Sequence, residues 1–229
     1  MRILVYTNQP RSNFSKELLE LKEKYKIQID FTNDYEEAEY CAYIRKYETI
    51  FIDMNDKIKA PSLNLFKAVR SDEVYTKIVV SSLKDDTFFK KYNLDIHMED
   101  SWSIELVEDT LNLENIIETE YIKVNVSEKT VWVKKEDEYI QIKFKKKIDF
   151  YVFLYFMRHY KETLHMSRIL NATCQEPEIV KNSIIDSSIS SLRKMFLNML
   201  NIENSITSFK KIGYEFSLED PVFAQQKTA

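Results

Sequence analysis

The order of apolar runs in the first half of the chain restricts its fold more than any other feature. Five short β-branched runs alternate with five stretches in which apolar residues recur every three or four positions, the helical spacing. A repeated strand and helix order predicts a parallel sheet with helices on both faces, because each helix returns the chain to the same end of the sheet. We therefore expect a flavodoxin-like (βα)5 domain over residues 1–118. The expected strands are Ile3–Tyr6, Ile27–Phe31, Thr49–Ile52, Ile78–Val80 and Leu94–Met98, and the expected helices lie near 14–25, 38–43, 63–69, 88–92 and 104–117.

After Glu118 the apolar pattern changes to an alternation with a period of two, which predicts short antiparallel strands. Three helical stretches follow, and a last pair of apolar pieces predicts a hairpin. Strands, three helices and a hairpin are the layout of a winged helix. We expect this second domain at 119–220 and a frayed tail at 221–229. The expected helices lie at 148–159, 166–172 and 179–200, and the hairpin strands at 206–209 and 212–216.

Residue counts exclude several classes of function. The chain has one glycine, Gly213, whereas phosphate-cradling loops and dinucleotide fingerprints need several. Its two cysteines, Cys41 and Cys174, lie far apart and form neither a disulfide framework nor a metal-ligand cluster. The three histidines are scattered, and the carboxylates show no paired catalytic spacing. We therefore expect no enzyme, no cofactor and no metal.

Charge is divided unevenly between the two expected domains. On a division near Thr119, the first part holds 16 Lys and Arg against 23 Asp and Glu, a net charge of −7. The second part holds 17 against 14, a net charge of +3, so a polyanion would bind there. A solvated surface of modest charge is the alternative interpretation. The apolar run at residues 1–7 is too short for a signal peptide or a membrane span, so we expect a cytoplasmic protein with no membrane partner.

Three motifs in the second half resemble one protein family. I-S-S-L-R-K at 189–194, preceded by Ile185 and Asp186, resembles the V-D-x-x-I-x-x-L-R-K recognition helix of the OmpR/PhoB family of response regulators. I-G-Y-E-F at 212–216 is similar to the V-G-Y-x-F end of the family's wing and puts the single glycine where the family has one. Asp149 and Phe150 resemble the E-F pair of its first helix. The resemblance covers most of residues 120–218 and implies a winged helix-turn-helix domain that binds double-stranded DNA.

The spacing of apolar residues in the third helix of this domain predicts which side faces outward. Ile185, Ile189, Leu192, Phe196 and Met199 form one buried stripe, so the serines between them face solvent. We expect the polar side to contact base edges and phosphates, and the hairpin to reach a minor groove or its phosphates. An ordinary amphipathic helix and a solvated turn are the alternatives. The candidate DNA-binding residues are Ser183, Ser187, Ser190, Ser191, Arg193, Lys194, Lys210 and Lys211.

The N-terminal half resembles a receiver domain through fewer residues. Y-E-T-I-F-I-D-M at 47–54 is similar to the Y-D-x-V-x-x-D-L strand of receivers, which puts Asp53 at the phosphoacceptor position, and Ser82 takes the place of the switch Ser or Thr. Receivers also hold Mg²⁺ with an acidic pair after the first strand and use a Lys after the fifth. Thr7 and Asn8 replace that pair, and Glu99 replaces that Lys.

Phosphoryl transfer to an aspartate depends on charge neutralisation, so this degenerate site predicts no conventional Mg²⁺-dependent phosphorylation. For Asp53, a carboxylate that caps a loop is the alternative to a signalling role.

Together the resemblances imply a sequence-specific transcription regulator that acts as a homodimer through its receiver-like domain. The residues expected on the dimer face, with packing against the sheet as the alternative, are Phe88, Phe89, Ile104, Leu111 and Leu113. In the family, the loop corresponding to 173–182 contacts RNA polymerase, although a connector without a partner is equally compatible with these residues. Two other functions stay open. One is a conventional phosphorylation-dependent response regulator that uses Asp53, and the other is an adaptor whose winged helix binds protein instead of DNA.

Overall fold

The computed structural model describes residues 1–7, 14–53, 76–81, 95–97, 103–135 and 138–218. The chain forms two compact units, Met1–Leu113 and Glu114–Ala229. The division falls before the one expected between 118 and 119, because Ile116–Glu118 is a strand that pairs within the second unit. No helix among the described residues is long and apolar enough to cross a membrane.

The first unit contains a sheet of five parallel strands in the order β2-β1-β3-β4-β5. This is the strand order of flavodoxin-like domains, so the predicted receiver-like α/β fold is confirmed. The helices expected near 63–69 and 88–92 lie outside the described residues. The strands are β1 Arg2–Tyr6, β2 Gln28–Thr32, β3 Thr49–Asp53, β4 Lys77–Ser81 and β5 Ile96–His97, and the described helices are α1 Phe14–Tyr25, α2 Tyr35–Ile44 and α3 Ile104–Thr110.

Both faces of this sheet are buried. On one face, β1, β3 and β4 pack with Ala38 of α2, and on the other they pack with Leu18 and Leu21 of α1 and Val107 of α3. A strand covered on both faces carries apolar residues at consecutive positions, which is why these strands read as continuous apolar runs in the sequence.

Helix α3 ends earlier than the apolar spacing predicted. The expected helix ran to residue 117, but Asn112 adopts a left-handed conformation with φ 52°. The Leu113 N–H then donates to the Glu108 carbonyl oxygen across the helix end, the bond of a Schellman motif. Asparagine tolerates this conformation better than most residues do. The prediction was therefore wrong after Thr110. The chain leaves the helical conformation there and begins the first strand of the second unit at Ile116.

The second unit has two antiparallel sheets and three helices, and one short strand of the second sheet lies between the first two helices in sequence. The first sheet has the order β6-β7-β8-β9, and the second has the order β10-β12-β11. Strands, three helices and a hairpin occur in the predicted order, while the short strand β10 was not anticipated. The elements are β6 Ile116–Glu118, β7 Ile122–Asn125, β8 Thr130–Lys135, β9 Glu138–Ile142, α4 Lys147–Arg158, β10 Thr163–Leu164, α5 Met166–Thr173, α6 Ser183–Leu200, β11 Ile206–Phe209 and β12 Gly213–Phe216.

Helix α6 begins at Ser183, four residues later than expected. In the preceding segment, the N–H groups of Ile179 and Val180 bond three residues back, to Glu176 and Pro177. Such bonds form turns and do not continue into an α-helix. The apolar residues of this segment therefore belong to the connection between α5 and α6.

An aromatic cluster joins the helices of the second unit to the hairpin. Phe216 of β12 is fully buried, and its ring centroid lies 5.6 Å from that of Phe153 in α4 and 5.4 Å from that of Phe196 in α6. Tyr160 packs on the same ring at 5.8 Å, and its hydroxyl donates to the Leu218 carbonyl oxygen. The relative placement of α4, α6 and β12 therefore depends on one shared set of contacts.

The single glycine of the chain lies where two backbones approach closely. Gly213 begins β12 with φ +154°, a value that other residues rarely adopt. A Cβ at this position would overlap the carbonyl group of Leu164 in β10 and the Cα of His165. Both neighbours are backbone, so no side-chain rotation relieves the overlap.

We expect Gly213→Ala to destabilise the second unit by about 2 kcal/mol or more, because the added methyl group overlaps backbone and the φ angle is unfavourable for alanine. Urea denaturation followed by circular dichroism measures this change. Thr207→Ala, at an exposed position of the adjacent strand β11, is the control and should change stability little. A Gly213→Ala variant as stable as the native protein would contradict the close approach.

Candidate functional site

Asp53 lies at the carboxyl end of β3, between the ends of β1 and β4. The Thr7 Oγ1 hydroxyl donates to Asp53 Oδ2 at 3.1 Å, and the Ser81 Oγ hydroxyl donates to Asp53 Oδ1 at 3.2 Å. The side chains of Thr7, Asp53 and Ser81 are 3%, 7% and 1% exposed. Hydroxyls on both neighbouring strands therefore hold the two carboxylate oxygens in a buried position.

Ser81, the residue before the expected Ser82, donates a hydrogen bond to Asp53. Ser82 was expected to close the fourth strand, but β4 ends at Ser81, and the parallel register pairs Ser81 with Asp53. Ser82, Asn8 and Glu99, the other expected members of the degenerate site, lie outside the described residues. The apolar pattern located β4 but did not specify its register against β3, and it is this register that places Ser81 beside Asp53.

The residues described at this edge do not fit the Mg²⁺ ion that a receiver-like fold implies. Mg²⁺ is a hard cation that binds carboxylate oxygens together with water or phosphate. Thr7 stands where the first acidic residue of the pair would be, and it supplies a neutral hydroxyl whose hydrogen is donated to Asp53. In the described part of the chain, no three His, Cys, Asp or Glu side chains converge on a point that could hold a metal ion.

We expect Thr7→Val to destabilise the first unit by about 2 kcal/mol, because a buried carboxylate loses a hydrogen-bond donor while the shape of the side chain is kept. The free energy of unfolding from urea titration measures this effect. Thr130→Val is the matched control, since the Thr130 hydroxyl oxygen is buried and makes no hydrogen bond in the structure. Equal stability of Thr7→Val and the native protein would show that the Asp53 contact contributes nothing.

A second candidate site is the exposed polar stripe of α6. Ser183, Ser187, Ser190 and Lys194 are exposed, as the spacing predicted, while Ser191 is half-buried at the edge of the stripe. Successive members lie four, three and four residues apart, so they share one side of the helix. The opposite side packs into the core through Ile185, Ile189, Leu192 and Phe196.

The hairpin of β11 and β12 is bound to one flank of this stripe. Arg193 Nε donates to the Ile206 carbonyl oxygen at 2.8 Å, and Arg193 Nη2 donates to Ser208 Oγ at 2.6 Å. The Tyr214 hydroxyl donates to Asp186 Oδ1 at 2.8 Å. Burial raises the pKa of Tyr214, and the hydrogen bond to Asp186 raises it further. Asp186 and Arg193 are two helical turns apart on the same flank, so they hold the hairpin at two points.

Arg193 has contacts within the chain in addition to the predicted contact with a DNA phosphate, which stays a prediction. Its guanidinium is hydrogen-bonded to β11 and lies 6.0 Å from the centre of the Tyr214 ring. Its role in the structure is to position the hairpin. Sequence reasoning did not identify the contacts of Asp186 and Tyr214. The seven-residue spacing of Asp186 and Arg193 indicates a common flank, but it does not indicate what that flank touches.

The stripe of α6 and the hairpin loop both carry exposed basic residues. Lys194 is exposed on the stripe, and Lys210 and Lys211 are exposed in the loop that joins β11 to β12. With the division after Leu113, Glu114 and Glu118 join the second unit, which then holds 17 basic against 16 acidic residues. The charge of the whole unit is therefore nearly balanced, and its affinity for a polyanion would depend on where these lysines lie.

The two cysteines lie in separate units of the chain. Cys174 is 7% exposed in the core of the second unit. Cys41 lies in α2 of the first unit, where burial raises the pKa of its thiol even though Arg45 acts in the opposite direction. A raised pKa reduces the reactive thiolate at neutral pH.

No protein-family model matches the chain, and no curated protein matches it. Among solved structures, a streptococcal redox sensor described as evolved from two-component response regulators aligns over 95% of this chain and 99% of its own, with 16% identity and a TM-score of 0.37. A cysteine-to-serine mutant of RitR aligns over 95% and 99%, with 15% identity and a TM-score of 0.38. The Vibrio cholerae chemotaxis protein CheY4 aligns over 48% of this chain and 95% of its own, with 17% identity and a TM-score of 0.37. The receiver-like fold of the first unit is assigned from the strand order of its parallel sheet and not from these matches.

Proposed function

We propose that the chain is a DNA-binding transcription regulator of the response-regulator type. The second unit would be an OmpR/PhoB-type winged helix-turn-helix domain, with α5 and α6 as the helix-turn-helix and the hairpin as the wing. The observation that carries this proposal is the exposed stripe of Ser183, Ser187, Ser190 and Lys194 with a lysine-bearing hairpin held against its flank.

The chemistry of this surface suits duplex DNA. Serine hydroxyls donate and accept hydrogen bonds, so they can contact base edges in the major groove, which admits an α-helix. Lysines beside the helix bind phosphates and set its register along the duplex. A helix and a hairpin fixed to each other contact the same duplex without first ordering their relative position, which lowers the entropic cost of binding.

The first unit would act without Mg²⁺-dependent phosphorylation. Transfer of a phosphoryl group to Asp53 requires positive charge around the incoming oxygens. Thr7 supplies a neutral hydroxyl at the place of a metal-binding carboxylate, and Asp53 already accepts hydrogen bonds from Thr7 and Ser81. A conventional response regulator that uses Asp53 is therefore the weaker candidate.

We further propose a symmetric dimer formed by the first unit, which would present two winged helices to paired half-sites. Of the residues expected on the dimer face, Leu111 is buried in the first unit, and Ile104 and Leu113 pack against the same core. Phe88 and Phe89 lie outside the described residues. RNA polymerase remains a proposed partner of the segment that joins α5 to α6, where Glu176 and Ile179 are exposed.

Selection of bound duplexes from fragments of genomic DNA tests DNA binding directly. The proposal requires recovery of a common sequence whose binding weakens as salt rises, because phosphate contacts release counterions. Two half-sites separated by about one helical turn would agree with a dimer. Failure to recover any duplex, together with capture of a protein through the same unit, would favour the adaptor.

Lys194→Ala, Lys210→Ala and Lys211→Ala should each weaken binding to the selected duplex. Each variant that loses a phosphate contact should also reduce the slope of log affinity against log salt by about 1. Fluorescence anisotropy across a salt series measures both quantities. Lys134→Ala, at an exposed position of β8 in the other sheet, is the charge-matched control. Equal losses in Lys134→Ala and the three variants would indicate attraction to the whole unit instead of a defined surface.

Incubation with a small phosphodonor and Mg²⁺ should leave the mass of the protein unchanged. The reason is that the metal-binding carboxylate expected beside Asp53 is replaced by Thr7, which carries no charge. Intact mass spectrometry detects an added phosphoryl group as an increase of roughly 80 Da. Asp53→Asn is the control for the position of any adduct. A stoichiometric adduct that is absent from Asp53→Asn would support the conventional response regulator.

A further inference from the structure

The loop of the hairpin carries exposed apolar side chains beside its lysines. Lys210, Lys211 and Ile212 join β11 to β12, and Lys211 adopts a left-handed conformation with φ 64°. Ile212 is 59% exposed, and Phe209, the last residue of β11, is 38% exposed. Both lysines are exposed, and they lie between these two apolar residues in sequence. Phe209 and Ile212, called the apolar pair below, therefore lie on either side of two positive charges in the sequence of the loop.

This loop is held in a fixed position relative to the polar stripe of α6. Gly213 packs directly against the backbone of Leu164, immediately after Ile212. Arg193 bonds to Ser208, immediately before Phe209, and Tyr214 bonds to Asp186. Because both strands are anchored within one or two residues of the loop, Ile212 and Phe209 are presented with little freedom left to lose on binding.

The chemistry of the apolar pair selects one surface of a duplex. Ile212 and Phe209 cannot hydrogen-bond to phosphates or base edges through their side chains. The thymine methyl group lies in the major groove, which α6 would occupy. In the minor groove, apolar surface is offered by the deoxyribose rings of the groove walls and, where two base pairs are partly unstacked, by the larger faces of the base pairs. Lys210 and Lys211 would meet the phosphates that line such an opened groove.

We propose that the hairpin acts as a wedge. Ile212, supported by Phe209, enters the minor groove and partly unstacks one base-pair step, so that the bound DNA bends toward its major groove. This inference rests on the proposed DNA-binding function and adds a deformation of the duplex to it. Pyrimidine–purine steps such as TA open most easily, so such a step is expected where the wing meets the selected sequence.

The test uses the full chain and a selected duplex labelled at its two ends with a donor and an acceptor dye. Energy transfer should increase on binding of the native protein, corresponding to a bend of roughly 20–90°. Ile212→Ala should lose most of that increase at saturation and bind about tenfold more weakly, because the apolar contact is removed. Its salt slope should stay unchanged, since no charge is lost. Lys210→Ala should show the reverse: a lower salt slope, with the bend kept at saturation.

Ile116→Ala removes an equally branched, partly exposed side chain from the other sheet and is the control for a general effect of truncation. Circular dichroism confirms that each variant is folded. A native protein that binds its duplex without bending it, or an Ile212→Ala variant that bends it fully, overturns the wedge and leaves DNA binding intact. An Ile212→Ala variant that changes only the sedimentation coefficient would assign the apolar pair to contacts between copies, which also overturns the wedge. If no duplex is selected, the proposed function fails and the wedge fails with it.

Discussion

The burial of Phe216 is the constraint on which the second unit depends. Its ring packs against Phe153 of α4 and Phe196 of α6, and Phe156 lies 6.1 Å away on the same helix as Phe153. Aromatic pairs of this kind contribute about 0.5–1.5 kcal/mol each beyond the area they bury. Because Phe216 ends the strand that begins at Gly213, the cluster fixes one end of the hairpin, and Gly213 against Leu164 fixes the other. The angle between the hairpin and α6 follows from these contacts.

The polar contacts between α6 and the hairpin refine a position that apolar packing has already set. The bonds from Arg193 to β11 and from Tyr214 to Asp186 lie at the border between core and solvent, where a net hydrogen bond contributes about 1 kcal/mol. Their value is geometric, because they keep the polar stripe and the hairpin loop on one surface. The guanidinium of Arg193 is engaged by these contacts with the hairpin. The exposed positive charges beside the stripe and in the hairpin loop are those of Lys194, Lys210 and Lys211.

The fold of the first unit does not itself depend on a metal site. The strand order and the two buried faces of the sheet depend on apolar runs and helix packing, and neither requires a metal site. The carboxyl ends of β1, β3 and β4 still bring three polar side chains together. Two of them are hydroxyls, and both donate hydrogen bonds to the carboxylate of the third, Asp53.

Periodicity in the sequence determined the βα alternation, the buried stripe of α6 and the position of the hairpin, because each depends on residues within a few positions of one another. Tertiary structure decided the rest. The end of α3 at Thr110 depends on Asn112 leaving the helical conformation, and the contact of Ser81 with Asp53 depends on the register of β4 against β3. The role of Arg193 depends on which flank of α6 meets the hairpin. These features arise from contacts between segments distant in sequence, where periodicity shows which side chains turn inward but not which partner they meet.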